Sequence, residues 1–185
     1  EHLDFDLAYS PHPEEKGLNW GGYVDEFSAF NAYADELCPA TGDEKGKVIG
    51  LNAHVFAETM RSGDQLKTYL APKIFGLSER AFNTDSTYTE AQFNKIIGYK
   101  ELPRLEKKGQ PVHLRQPGII VKDGQIFMNT PYDEGTIRFT LDGTEPDENS
   151  TVYSGPVAIN GATDIRARYF RNGAMSVTTY LFVND

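Results

Sequence analysis

Residues 1–108 offer one clear strand, KVIGLNAH over Lys47–His54, set between a long irregular stretch and two helical patterns. One strand cannot form a sheet or bury both of its faces. This part of the chain therefore reads as the end of a larger α/β domain and not as a complete one. The run Lys47–His54 is expected to be a short buried strand. The irregular stretch, residues 1–46, is interrupted by Pro11, Pro13, Gly17, Gly21, Gly22, Pro39, Gly42 and Gly46. Tyr9, Trp20, Tyr23, Phe27, Phe30 and Tyr33 supply its apolar mass, and it reads as a loop. A compact domain rarely carries so long an irregular run without a functional reason.

Leu66, Leu70, Ile74, Leu77 and Ala81 recur at helical spacing and predict a helix over 62–83. Ser62 and Gln65 stand at capping-box spacing at its start. Pro72 lies inside the pattern and predicts a kink or an early stop. A second helix is expected from Thr89, where Thr89 and Gln92 repeat that spacing. Phe93, Ile96 and Ile97 form its apolar face, and it runs toward Leu105.

Lys107-Lys108-Gly109-Gln110-Pro111 marks a boundary between a first domain, residues 1–108, and a second, residues 109–185. Beyond it the period shortens. Ile119–Val121, Gln125–Met128, Thr136–Leu141, Thr151–Tyr153, Val157–Ile159, Asp164–Phe170 and Ser176–Val183 read as strands separated by turn residues. Asp123-Gly124, Asp142-Gly143 and Asn172-Gly173 are tight-turn pairs. Ile165, Ala167 and Tyr169 alternate with Arg166, Arg168 and Phe170, as a half-buried strand should. These runs predict a small antiparallel sandwich.

Charge limits the partners. The chain holds 27 acidic and 18 basic residues, a net charge of −9. That balance disfavours nucleic acid and anionic membranes. Residues 1–60 hold 12 acidic and 3 basic side chains, so their excess equals that of the whole chain. No apolar run approaches the roughly 20 residues of a membrane span. A single cysteine, Cys38, excludes an internal disulfide, and the four histidines lack metal-ligand spacing.

Three groups of residues carry a resemblance. The first is Gly50-Leu51-Asn52-Ala53-His54-Val55-Phe56-Ala57-Glu58-Thr59, with Tyr69-Leu70-Ala71-Pro72-Lys73 and Leu77-Ser78-Glu79-Arg80-Ala81-Phe82 after it. It resembles the last strand and last helix of glycoside hydrolase family 20, the β-N-acetylhexosaminidases. That family reads G-x-x-A-x-x-W-S-E, then F-P-R and A-E-R-x-W. The second is Leu3-Asp4-Phe5 with Pro13-Glu14-Glu15-Lys16-Gly17-Leu18-Asn19-Trp20. It is similar to the preceding strand end and loop of bacterial chitobiases, Y-L-D-F and P-x-E-R-G-Y-x-W. The third, residues 116–183 with Ile137–Pro146 and Ile165–Arg168, resembles their immunoglobulin-like C-terminal module. The implied fold is α/β plus all-β: the C-terminal end of an incomplete (β/α)8 TIM barrel, then an immunoglobulin-like β-sandwich. A barrel of this kind works at the C-terminal ends of its strands.

The resemblance implies substrate-binding roles for Asp4, Trp20, Phe56 and Glu58. Glu58 matches a glutamate that accepts hydrogen bonds from hydroxyls of the terminal sugar; a carboxylate can accept two at once. On its residues alone it reads as a surface glutamate ahead of a helix. Asp4 matches an aspartate that binds a sugar hydroxyl. Trp20 is the only tryptophan, a flat wall for the apolar face of a pyranose, or else a loop aromatic packed on the barrel rim. Phe56 stands where the family has tryptophan, as pocket floor or core. His2 stands where it has a tyrosine and is not assigned to the site. His54 reads as a core histidine, or as a partner that orients Glu58. Gly42-Asp43-Glu44 imitates the family's catalytic G-G-D-E but precedes the last strand and reads as a turn. No catalytic residue is assigned within this chain. Tyr132, Tyr153 and Tyr169 read as packing rather than as a sugar face.

The implied function is the C-terminal part of an exo-β-N-acetylhexosaminidase. Such an enzyme removes terminal N-acetylglucosamine from chitin oligosaccharides or related glycans. It retains anomeric configuration by substrate assistance and takes no cofactor and no metal. Its expected partners are an N-acetylglucosamine-containing oligosaccharide and the remainder of the barrel. The expected compartment is the periplasm, the outer membrane or the exterior of a bacterium. The competing reading is a non-catalytic glycan-binding or spacer module on a degenerate barrel remnant. A third is an interaction domain whose acidic loop meets a protein.

Overall fold

A computed structural model describes residues 3–37, 47–83 and 86–184, and the chain divides into two units, Glu1–His113 and Leu114–Asp185. His2, Cys38 and Gly42-Asp43-Glu44 lie outside the described residues.

The first unit is not loop throughout its opening stretch. The Asp25 carboxylate accepts from the N–H groups of Phe27 (3.0 Å) and Ser28 (2.8 Å) and starts α1 (Glu26–Phe30). The Ser28 Oγ in turn accepts from the Asp25 N–H (3.3 Å), completing a reciprocal box. The short α2 (Ala34–Leu37) follows. The helical pattern over 62–83 splits into α3 (Gly63–Leu70) and α4 (Lys73–Phe82) at Pro72, which has no N–H to continue the ladder. Gly76 lets α4 meet α1 backbone to backbone: a Cβ there would stand 2.5 Å from the Phe30 nitrogen and 2.6 Å from the Glu26 carbonyl. The second helix starts at Thr89 with the expected capping box, as α5 (Glu90–Ile96). A wider π turn, Ile97–Glu101, leads into α6 (Leu102–Glu106), where Pro103 sits in the first turn. Phe93 and Ile97 are buried and Ile96 is half-buried. Leu3, Phe5, Leu7, Val24, Ala29 and Ala32 form the unit's core, with Ile74 and Leu77 packed against it.

The expected buried strand Lys47–His54 does not form. His54 alone makes a parallel bridge, to Asp4, and Ile49 is fully exposed. A buried strand needs partners on both edges and cover on both faces; the described residues provide one short partner, Leu3–Phe5.

The second unit is built of antiparallel strands: β1 (Gly118–Lys122), β2 (Gln125–Asn129), β3 (Thr136–Thr140), β4 (Thr151–Val152), β5 (Val157–Ala158), β6 (Thr163–Arg171), β7 (Ala174–Met175) and β8 (Thr179–Val183). One sheet has the order β1-β2-β5, the other β4-β3-β6-β7 with β8 also on β6. The expected run Ser176–Val183 is shortened to β8, with Ser176–Thr178 outside any strand. Asp123 and Gly124 have φ of 52° and 70°, and Asn172 and Gly173 have 47° and 78°. Both pairs thus close two-residue hairpins with positive φ at both positions. Asp142-Gly143 does not close a hairpin. The Asp142 carboxylate instead accepts from Thr144 N–H (3.1 Å) and hydroxyl (2.6 Å), folding the chain away from β3. Along β6 the burial alternates as expected, with Ile165, Ala167 and Tyr169 fully inside. Tyr132 is also buried, and Tyr153 packs edge-on to Phe139, so these tyrosines pack and none lines an open face.

Candidate functional site

Asp4 sits where a short parallel pair ends. Phe5 N–H donates to the His54 carbonyl (2.7 Å), and His54 N–H donates to the Leu3 carbonyl (2.9 Å). The chain then turns at once, Leu7 N–H donating to the Asp4 carbonyl (3.1 Å). Lys73 holds that turn from inside. Its fully buried ammonium donates to the carbonyls of Phe5 (2.9 Å) and Leu7 (2.7 Å) and lies 3.9 Å from the Tyr9 ring centre. Burial pulls Lys73 from 10.5 to about 7, against the opposing charges of Glu15, Glu26, Asp25 and Asp6. Burial, reinforced by Glu26, pushes the Tyr9 hydroxyl well above its ordinary value. The Tyr9 ring stacks on His113 at 3.5 Å, and His113 Nε2 meets Glu15 at 2.6 Å.

The Asp4 carboxylate lies 3.4 Å from His54 Nδ1, with side-chain exposures of 13% and 54%. His54 is therefore not a core histidine, and the carboxylate it faces is Asp4. The non-local pairing that brings them together is invisible in a one-dimensional reading. Asn52 Nδ2 lies 3.4 Å from His54 Nε2. One tautomer suits both neighbours: Nδ1–H toward Asp4, with Nε2 accepting from Asn52. The other lone pairs of Asp4 remain suited to hydroxyl donors.

Phe56 and Glu58 lie two and four residues beyond the bridge. Phe56 is 50% exposed and outside the core, its ring 5.9 Å from that of His54. Glu58 is exposed in a turn closed by Met60 N–H to the Ala57 carbonyl (3.1 Å). Arg61 Nη1 donates to the Glu58 carbonyl (3.1 Å), and Gln65 Nε2 donates to the Thr59 carbonyl (3.1 Å) and the Tyr69 hydroxyl (2.6 Å). Arg61, Gln65 and the buried Tyr69 thus fix the turn that carries Glu58. Gln65 was legible only as a capping residue. Ser62 Oγ does accept from Gln65 N–H (3.1 Å), but the Gln65 side chain accepts from Arg61 N–H (2.9 Å), one residue off a reciprocal box.

Trp20 is 75% exposed, in the turn closed by Gly22 N–H to the Asn19 carbonyl (3.3 Å). It is not packed into the first unit. The parallel bridge Leu7–Leu18, two residues before it, ties its loop to the segment that carries Asp4. The structure thus joins Asp4, His54 and Phe56 directly, carries Glu58 on a turn four residues beyond the Asp4–His54 bridge, and carries Trp20 on a separate turn two residues beyond the Leu7–Leu18 bridge.

In the second unit, Glu145 meets Arg166 (2.6 Å) and Arg168 (3.1 Å) and accepts from the Thr178 hydroxyl (2.5 Å). The Thr178 and Arg166 contacts hold its carboxyl below the ordinary range although burial opposes them. The Asp142–Glu145 segment is accounted for as a staple across β6.

Comparison with known proteins adds the following. Residues 116–180 match the model of the chitobiase/beta-hexosaminidase C-terminal domain. The chain is 23% identical over 182 residues to N,N'-diacetylchitobiase of Vibrio harveyi, covering 77% of this chain and 21% of that protein. It is 24% identical over 186 residues to a beta-hexosaminidase of Vibrio vulnificus, covering 75% and 22%. It is 27% identical over 99 residues to beta-hexosaminidase B of Pseudoalteromonas piscicida, covering 43% and 13%. The chain spans roughly a fifth of the length of the first two relatives. These matches support a chitobiase/beta-hexosaminidase relationship.

Proposed function

We propose that this chain is the C-terminal part of an exo-acting β-N-acetylhexosaminidase of glycoside hydrolase family 20, supplying part of the wall that holds the terminal sugar. The observation that carries the reading is the alignment of about three-quarters of the chain with two relatives named chitobiase and beta-hexosaminidase. Both units take part, the second through its match to a C-terminal domain of such enzymes.

The chemistry of the first unit supports the same reading. A sugar presents hydroxyl donors and apolar C–H faces. Carboxylates with free lone pairs and exposed flat rings recognise the two together. Asp4 and Glu58 are the carboxylates, Trp20 and Phe56 the rings. In this proposal the first unit completes a (β/α)8 barrel, and the catalytic acid and its aspartate partner come from the rest of the parent. The second unit is an immunoglobulin-like module, and the parent works in the periplasm, at the outer membrane or outside the cell.

Two measurements test it. In the parent, Glu58→Ala is expected to lower kcat/KM on an aryl N-acetylglucosaminide by ~10²-fold or more, through loss of charge-assisted hydrogen bonds. Near-normal kinetics would remove Glu58 from the site. The chain alone is expected to leave the same substrate intact, and turnover by it would refute the assignment of the catalytic pair to the missing part.

A further inference from the structure

Arg80, on α4, is only 5% exposed. Its Nε donates to the Phe30 carbonyl, and its guanidinium carbon lies 4.0 Å from the Phe30 ring centre and 4.2 Å from that of Tyr33. The rings grip the flat faces of the fork. Its edge is left over: Nη1 and Nη2 are buried without a hydrogen-bond partner. Arginine cannot shed its proton to escape this cost, so the missing component is an acceptor, and the planar fork fits a carboxylate. The cation is already desolvated, which strengthens any anion that reaches it.

The same side chain lines a cavity of about 230 Å³ with Tyr33, Val48, Ile49 and Leu51. Val48–Leu51 belongs to the segment 47–53, whose backbone makes no backbone hydrogen bond among the described residues. Ile49, at its middle, is fully exposed. An open backbone edge, an uncovered apolar side chain and an unpaired guanidinium therefore meet at one place. The half-exposed Tyr33 ring forms the wall of the cavity on the solvent side of the guanidinium.

We propose that this cavity docks an extended polypeptide segment carrying an aspartate or glutamate. The segment's backbone pairs along residues 48–51, its apolar side chains cover Ile49, and its carboxylate takes both free edges of Arg80. A chain that spans roughly a fifth of its relatives leaves ample polypeptide to supply it. That the segment belongs to the parent rests on the function proposed above; the preference for an acidic strand does not.

The experiment follows the Arg80 guanidinium and the 48–51 amides of this chain by NMR. The probes are a blocked pentapeptide of alternating valine and threonine with a central glutamate, its glutamine twin, and propionate. The glutamate peptide is expected to shift both sets of signals saturably. The glutamine twin is expected to bind about tenfold more weakly. Arg80→Lys is expected to lower affinity for the glutamate peptide by at least about fivefold, since an ammonium cannot pair both carboxylate oxygens. Equal binding of the two peptides, equal saturation by propionate alone, or no shift with any probe would each overturn the proposal. None of these outcomes bears on the kinetics of Glu58→Ala.

Discussion

Lys73 is the residue on which the Asp4 turn depends, because one ammonium serves the carbonyls on both sides of that turn. It stands where the resembled family has arginine, and a lysine in that position can lose its charge. Its value falls from 10.5 to about 7 on folding, so between those values the unfolded chain holds this proton more tightly than the native one. Stability therefore rises with pH across that window. The cost of burying the charge is fully felt below pH 7 and vanishes above 10.5. Lys73→Met removes the group and with it this dependence. The stability difference, wild type minus variant, is expected to grow with pH by up to roughly 1.4 kcal/mol per unit. Paired urea titrations from pH 6.5 to 9.5 measure it, and a constant offset between the two proteins would contradict it. The neutral amine keeps two N–H donors for its two carbonyls, so the Asp4 turn is expected to persist at high pH.

Elements differ in how openly the sequence announces them, and the difference is physical. The face Leu66, Leu70, Ile74, Leu77 and the break at Pro72 follow from local period and a missing N–H, and α3 and α4 appear where those predict. Strand β6 is equally open, because alternation of burial is a property of one strand on one sheet. Helix α1 is hidden from such a reading, because its five residues carry too little period. The run Lys47–His54 departs from its expected strand for the opposite reason. Its composition suits a strand, but pairing is decided by neighbours far away in sequence. The carboxylates and rings of the candidate site were legible by resemblance; the His54–Asp4 contact and the Arg61–Gln65–Tyr69 bracket were not, because they exist only in three dimensions. Gly76 shows what such contacts demand of a helix. Alanine there gains about 1 kcal/mol of helix propensity. Yet its Cβ would meet backbone atoms of α1 at 2.5 and 2.6 Å, which no side-chain rotation relieves. Gly76→Ala is expected to cost roughly 2 kcal/mol net. A lowered urea midpoint at unchanged slope measures it, and a raised midpoint would mean that α1 and α4 do not touch this way.

At the scale of the whole molecule, the two units stand in different thermodynamic positions. In the second, every strand named above finds its partner within the unit, and Ile126, Tyr132, Ile165, Ala167 and Tyr169 are essentially withdrawn from water. The first leaves Ile49 exposed in the segment 47–53, which makes no backbone hydrogen bond among the described residues. Independent folding requires a closed core and satisfied sheet hydrogen bonds, and the second unit presents both. Residues 114–185 expressed alone are therefore expected to fold, with a dispersed amide spectrum and one cooperative thermal transition. A module of this size sits near the lower limit for a single core, so its stability is expected to be only about 3–5 kcal/mol. The two positive-φ hairpins and the Glu145 staple act locally and survive the excision intact. A collapsed spectrum for 114–185, or a thermal transition without cooperativity, would contradict this expectation.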